Sequence, residues 1–408
     1  MNHKIEIIPD GSVTSPKGFQ SAGVAAGIKS TGKLDLGLLV SETRCSAAAV
    51  FTRNVIKGAS LLVSREHLRD GYAQCVVANS GNANACTGER GMLDAREMAR
   101  IVAQCLKISE GDVLPASTGI IGEYLPLPAI RKGIEQAAEA LSPDGGIRFA
   151  QAIMTTDTVP KHAARRVSRG ETSFSLGGVA KGAGMIHPNM ATMLVFLTTD
   201  LKVETAILKP LLLEAVDHTF NRFTIDGDTS CDDTVVLLAN GRANAPEIND
   251  TAGPAYSALR DALFDLCSEL TYRLAGDGEG VTKVVTIQVQ GARTREEAAR
   301  VARSIAISPL VKTAFHGEDP NWGRIVTAAG NSGVEFDPAA IDLKIGNHLV
   351  VDQGERGVYR EEDVHGVMKN NQFEIVLTLN QGKEQDFYIT TDFSKVYVDI
   401  NADYRHRS

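Results

Sequence analysis

The chain has 408 residues, 43% of them hydrophobic, and 42 Lys and Arg stand against 50 Asp and Glu for a formal net charge of −8. That acidity argues against nucleic acid or an anionic membrane as the main partner, because both select basic surface. No uncharged apolar run approaches the roughly 18–20 residues that cross a bilayer, and Met1-Asn2-His3-Lys4-Ile5-Glu6 lacks an apolar signal core, so a cytoplasmic enzyme acting on small molecules is expected.

A chain of this length exceeds a usual single core, so two or three lobes are expected, or intertwined lobes without a clean boundary. Between 35 and 80, short apolar runs such as Leu36-Gly37-Leu38-Leu39-Val40 and Ala47-Ala48-Ala49-Val50-Phe51 alternate with polar breaks, which suits strands and turns. Helical spacing follows. Leu93, Met98, Ile101, Val102, Cys105 and Leu106 mark a helix over 92–107, and Ile130, Ile134, Ala138 and Leu141 mark another over 129–141. Asp144-Gly145-Gly146 reads as a turn, after which Gly177-Gly178 and a glycine loop lead into a strand through Met193-Leu194-Val195-Phe196-Leu197, opened by Thr192. Helices over 203–219 and 254–271 flank a buried strand at Thr234-Val235-Val236-Leu237-Leu238-Ala239. Val285, Ile287 and Val289 share one side of a strand, and Thr294-Arg295-Glu296-Glu297 has capping-box spacing into a helix ending near Ser304. From about 341 the chain reads as strands, at Ile341-Asp342-Leu343-Lys344-Ile345, Glu374-Ile375-Val376-Leu377-Thr378-Leu379 and Val396-Tyr397-Val398-Asp399-Ile400. Alternating α and β elements throughout give an α/β fold class.

Several site classes fail on spacing. Cys45, Cys75, Cys86, Cys105, Cys231 and Cys267 form no C-x-x-C pair, so they read as reduced, mostly buried thiols. Asp226, Asp228, Asp232 and Asp233 suggest a metal loop, but an EF-hand requires Gly at 231 and Glu at 237, where Cys231 and Leu237 stand. Gly182-x-Gly184 lacks the third glycine of a dinucleotide fingerprint, whose place falls on His187, and no P-loop is present. No metal and no cofactor are therefore expected.

The segment Lys181-Gly182-Ala183-Gly184-Met185-Ile186-His187-Pro188-Asn189-Met190-Ala191-Thr192-Met193-Leu194 carries the chemistry. Its two glycines permit strained backbone and Pro188 fixes one dihedral, which suits a bent peptide ahead of Thr192. Attack of the Thr192 hydroxyl on the Ala191 carbonyl, an N-to-O acyl shift and hydrolysis would cut the chain and leave Thr192 with a free α-amine. Such an amine titrates near ~7.7–8.0, so an N-terminal Thr carries its own base.

This motif closely resembles the self-cleavage motif of the ornithine acetyltransferases, the glutamate N-acetyltransferases of arginine biosynthesis. The resemblance extends through Gly18-Phe19 to Lys29, Ala78-Asn79-Ser80-Gly81-Asn82-Ala83-Asn84-Ala85 and Ser117-Thr118-Gly119-Ile120-Ile121-Gly122. It continues through Asp226-Gly227-Asp228-Thr229-Ser230, Asp277-Gly278-Glu279-Gly280 and His316-Gly317-Glu318-Asp319-Pro320-Asn321-Trp322-Gly323-Arg324 to Asn401-Ala402-Asp403-Tyr404. Essentially the whole chain is spanned.

The resemblance implies a four-layer αββα sandwich, cleaved between Ala191 and Thr192 into an α chain 1–191 and a β chain 192–408 that stay intertwined in an α2β2 heterotetramer. It implies transfer of acetyl from N2-acetyl-L-ornithine to L-glutamate through an ester on Thr192, with Thr118 and Gly119 as oxyanion donors in a Ser-Thr-Gly turn. Acetyl-CoA is a second donor for many members. Thr155, Lys181, Thr192, Glu279 and Asn401 match substrate contacts, Lys181 suited to a carboxylate and Glu279 to an ammonium. The family's short hydroxyl-bearing tail is replaced here by Arg405-His406-Arg407-Ser408, leaving Ser408 or His406 for the terminal contact. His187 matches a variable position and reads as loop surface, His316 as a structural hydrogen-bonding residue. Two other functions compete: a self-processing aminopeptidase or amidohydrolase of the same fold, and a non-enzymatic amino-acid-binding protein.

Overall fold

A computed structural model describes residues 3–187 and 193–403. Ala191, Thr192, His406 and Ser408 lie outside the described residues. In chain order the first half holds β1 (Lys4–Ile7), β2 (Phe19–Val24), β3 (Leu36–Phe51), α1 (Ala59–His67), β4 (Tyr72–Asn82), α2 (Gly88–Leu106), β5 (Val113–Ile120), α3 (Leu127–Glu139), α4 (Gly146–Ala152), β6 (Lys161–Arg169) and β7 (Thr172–Lys181). Next come β8 (Leu194–Thr199), α5 (Thr205–His218), β9 (Thr234–Ala239), α6 (Pro254–Gly276), β10 (Val284–Ala292), α7 (Arg295–Ala306), α8 (Pro309–His316) and α9 (Trp322–Gly330). The chain closes with β11 (Asp342–Ile345), β12 (His348–Asp352), β13 (Glu355–Arg356), α10 (Glu361–Met368), β14 (Gln372–Thr378), β15 (Glu384–Thr391) and α11 (Lys395–Ala402). The architecture is the mixed α/β class read from the sequence.

Among the described residues, one sheet of nine strands runs β1-β6-β7-β8-β9-β3-β4-β5, with β2 paired to β3, and a second of six runs β13-β12-β11-β14-β10-β15. In the first sheet the two strands that follow residue 191, β8 and β9, are inserted as a pair between strands that precede it: Lys181 of β7 pairs with Leu194 of β8, and β9 pairs with β3. The centre of this sheet is covered on both faces. In β9, Val235 and Leu237 join the core formed with α5 and α6, whereas Val236 and Leu238 join the core containing Phe149 of α4. Each such fully buried Val or Leu contributes roughly 1.5–3 kcal/mol, which is why these strands read as unbroken apolar runs. A separate core packs Met98, Ile101 and Val102 of α2 and Ile130 and Ile134 of α3 against β3 and β4. On the second sheet, Val285, Ile287 and Val289 face helices α7 to α10, in the expected period of two.

Thr294 caps α7 as its spacing implies, its hydroxyl accepting from the Glu297 N–H at 3.1 Å. Other expectations are corrected. The 35–80 region includes α1, whose Ser60 and Ser64 point inward to bond the Ser117 hydroxyl at 2.7 Å and the Pro115 carbonyl at 2.6 Å. Polar residues on the buried face masked its helical period. Leu93 and Cys105, placed on the buried face of α2, are exposed. Gly177-Gly178, read only as leading toward the Met193 strand, lies inside β7, where a Cβ on Gly177 would meet the Ser12 carbonyl oxygen at 2.0 Å. The segment 396–400 is helical, because Ser394 accepts from the Tyr397 N–H at 3.2 Å and Phe393 stacks on Tyr397 at 4.9 Å. Val396 and Val398 stay exposed on that helix, so their apolar side chains gain no burial that would set them against the cap.

Candidate active site

One pocket of about 150 Å3 gathers Thr118, Gly119, Thr155, Lys181, Glu279 and Asn401. These six residues, widely separated in sequence, are all the described candidates from sequence. Met193, which follows Thr192 in the chain, lines the same pocket with Leu194.

Thr118 and Gly119 end β5, which runs parallel to β4, and thus form a strand end rather than a free turn. The ladder becomes irregular there, at Gly81 and Asn82. Gly119 has φ +134°, and a Cβ on it would lie 2.4 Å from the Gly81 carbonyl carbon. Only glycine brings the two strand ends this close, leaving the backbone beside Thr118 open to the pocket. The Thr118 hydroxyl accepts from Lys181 Nζ at 3.0 Å, so its own proton is available to another acceptor.

Lys181 is buried at the end of β7, and loss of water pushes its pKa down while Asp157 opposes the shift. Asp157 also accepts from Lys161 at 2.5 Å and from the N–H groups of Gly182 at 2.8 Å and Thr155 at 2.9 Å. Lys161 reaches Asp277 at 2.5 Å as well. This buried network fixes the backbone of both Thr155 and the glycine loop to one carboxylate. Burial alone would raise the Asp157 pKa, but Lys161 and Lys181 outweigh it and bring it down to about 2.

Because the folded-state pKa lies below the unfolded value of ~3.9, Asp157 stabilises the fold above about pH 4 and loses that contribution as pH falls through about 2. In Asp157→Asn, denaturation midpoints measured from pH 7 to pH 2 should show about 2 kcal/mol less acid dependence and lower stability at pH 7. An unchanged acid profile would contradict this.

Glu279 is buried at the tip of its loop, accepts from Asn401 Nδ2 at 2.8 Å and has its N–H bonded to the Ala183 carbonyl at 2.8 Å. Gly184 leaves room for this carboxylate, since a Cβ there would sit 2.4 Å from it and push it aside. The α11 cap at Ser394 therefore serves the site by aiming Asn401. The pocket combines a cation, a carboxylate, an amide and hydroxyl groups, a set suited to a small amino-acid ligand.

Residues 20–406 match the ArgJ family. The chain belongs to the ArgJ family. It is 46% identical over 397 residues to the arginine biosynthesis bifunctional protein ArgJ of Symbiobacterium thermophilum, covering 97% of this chain and 98% of that protein. The protein of the same description from Dehalococcoides mccartyi is 45% identical over 407 residues, covering 99% and 100%. Among solved structures, the chain is similar to the ornithine acetyltransferase of Mycobacterium tuberculosis complexed with ornithine, at 40% identity and a TM-score of 0.44 over 46% of this chain and 100% of that one.

Four residues of this ArgJ family member gain roles that sequence reasoning missed. Asp232 and Asp233, weighed only as metal ligands, are buried in the pocket wall, and Asp232 Oδ1 and Asp233 Oδ2 have no hydrogen-bond partner among the described residues. Burial pushes the Asp232 pKa up to about 8, and that of Asp233 upward too. They precede Thr234, whose N–H donates to the Met193 carbonyl at 2.9 Å, so strand pairing sets them beside the residue after Thr192. Asp226 accepts from the Met185 N–H at 2.5 Å and the Ile186 N–H at 2.8 Å, fastening the glycine loop.

His187 is not loop surface. It is 4% exposed. The Thr224 hydroxyl donates to the Ile186 carbonyl at 2.8 Å, so it accepts from His187 Nδ1 at 3.1 Å, while His187 Nε2 accepts from Arg303 Nε at 2.8 Å. Burial and the neighbouring Arg303 push its pKa down to about 4, keeping the ring neutral. A histidine in a glycine-rich loop gives no sequence signal of burial; only its contacts reveal it. His316 has the structural role expected, with Nδ1 2.8 Å from Asp392 Oδ2.

Proposed function

We propose that this chain is a cytoplasmic glutamate N-acetyltransferase of arginine biosynthesis. It moves acetyl from N2-acetyl-L-ornithine to L-glutamate, giving L-ornithine and N-acetylglutamate, and also acetylates glutamate from acetyl-CoA. Self-cleavage between Ala191 and Thr192 yields an α chain 1–191 and a β chain 192–408, assembled as α2β2.

The new Thr192 amine takes the hydroxyl proton as the oxygen attacks the donor carbonyl, and returns it to the departing ornithine amine. The Thr118 hydroxyl and the Gly119 N–H stabilise the oxyanion; Lys181 polarises that hydroxyl. Glu279, held by Asn401, receives the ammonium group of the amino acid, and Thr155 completes the pocket. Glutamate then attacks the acetyl ester in the second half of a ping-pong cycle. No cofactor enters either half.

One observation carries the reading: Thr118, Gly119, Lys181, Glu279 and Asn401 line one pocket with Met193, the sequence neighbour of Thr192. Incubation with N-acetylornithine, with and without glutamate, tests it. N-acetylglutamate should form in proportion to ornithine released. Acetate release indifferent to glutamate would instead mark a self-processing aminopeptidase or amidohydrolase, and ornithine binding by an uncut, inactive chain a binding protein.

A further inference from the structure

A second cavity meets the pocket at the end of β5. It measures about 710 Å3 against about 150 Å3 for the pocket and shares Gly119, Thr155 and Thr156 with it. Leu34, Ile120, Met154 and Ile400 supply apolar wall, and Gln151 and Thr31 supply polar groups. Two lysines line it, Lys29 and Lys33.

This wall is built rigidly. The fully buried Asp35 carboxylate accepts from four successive N–H groups, those of Ala26 at 2.6 Å, Gly27 at 3.1 Å, Ile28 at 2.7 Å and Lys29 at 2.9 Å. Lys29 Nζ then donates to the carbonyls of Leu34 at 3.2 Å and Met154 at 2.7 Å, tying the loop to the residue before Thr155. Lys33 is exposed and makes no ion pair or hydrogen bond among the described residues. Asp157, the carboxylate of this cavity, is already committed to Lys161.

An amino-acid donor has no use for so large a chamber. A thioester donor does, because its acyl group rides on a long arm of alternating methylene and amide groups that ends in phosphate. Both donors must still deliver a carbonyl to the same oxyanion donors. The geometry points to this cavity as the seat of a phosphopantetheine-type acyl thioester, with the thioester at Gly119, the arm along Ile120, Met154 and Gln151, and the phosphates toward Lys33. This assignment rests on the reading that acetyl-CoA is a donor. The Thr192 oxygen forms a bond to the acetyl carbon, the C–S bond breaks, and the thiolate leaves with the proton first taken up by the α-amine. The ester that remains is the one N-acetylornithine produces.

Steady-state kinetics with N-acetylornithine, acetyl-CoA and acetyl-pantetheine test this in wild type, Lys33→Glu and Gln151→Trp. Lys33→Glu should raise KM for acetyl-CoA about tenfold or more, the loss of one charge-assisted phosphate contact. Values for acetyl-pantetheine and N-acetylornithine should stay within about twofold, since neither donor presents a phosphate to that lysine. Gln151→Trp should lower kcat/KM for both thioesters and spare N-acetylornithine. If wild type uses acetyl-CoA and neither variant changes its kinetics, the cavity assignment is overturned and the donor reading stands. If wild type turns over neither thioester, both fall, while turnover of N-acetylornithine keeps the transferase.

Discussion

Thr192→Ala is expected to give a single uncut polypeptide with no measurable acetyl transfer, where wild type separates into two fragments on a denaturing gel. Both losses have one cause. Without the hydroxyl nothing adds to the Ala191 carbonyl, so no cut occurs and no α-amine appears at 192. Without that amine and hydroxyl, neither the base nor the acyl acceptor exists. The uncut protein should still fold, because Lys181↔Leu194 and Leu194↔Thr234 pairing on either side of the segment depends on backbone hydrogen bonds and buried side chains. A Thr192→Ser variant retains the hydroxyl on which both roles depend, and should cut and turn over at reduced rates. Transfer activity in the alanine variant at more than a trace would refute Thr192 as the acyl carrier.

Thr118→Val should lower kcat for N-acetylornithine by about 10²–10³, the usual cost of one oxyanion donor, about 2.7–4 kcal/mol. The shape of the side chain is nearly kept, so KM should change little. The residue is 9% exposed and accepts from the buried Lys181 at 3.0 Å, so the variant also leaves that ammonium short of a partner. A loss of about 1–3 kcal/mol of stability is therefore expected alongside the kinetic loss. Thr118→Ser, which restores a hydroxyl, should recover most of both. The decisive quantity is the kcat of a Thr118→Val sample shown to be folded by circular dichroism: a value within about threefold of wild type would remove Thr118 from the proposed oxyanion pair.

Elements whose signal is local were legible. In β9 and β10 the apolar pattern follows from burial on two faces and one face respectively, and the Thr294 cap depends on a residue three positions away. Legibility failed where a distant partner overrode the local pattern. Ser60 and Ser64 look like surface residues until β5 supplies their partners. His187 looks like loop surface until Thr224 and Arg303 enclose it. The valines of 396–400 fit a strand by composition, but the Ser394 cap starts a helix there and Val396 and Val398 stay exposed on it.

By itself, the sequence determined the candidate nucleophile, the family and most strands and helices, because contiguous motifs and periodic burial are properties of neighbouring residues. Only the tertiary structure decided that Thr118, Lys181, Glu279 and Asn401 meet in one pocket, that Asp232 and Asp233 are buried in its wall, and that a larger cavity adjoins it at Gly119. Those facts depend on which strand pairs with which and how loops close over the sheet. Such pairings are set by the summed burial of both faces, and a one-dimensional pattern records that a residue is buried without recording against what.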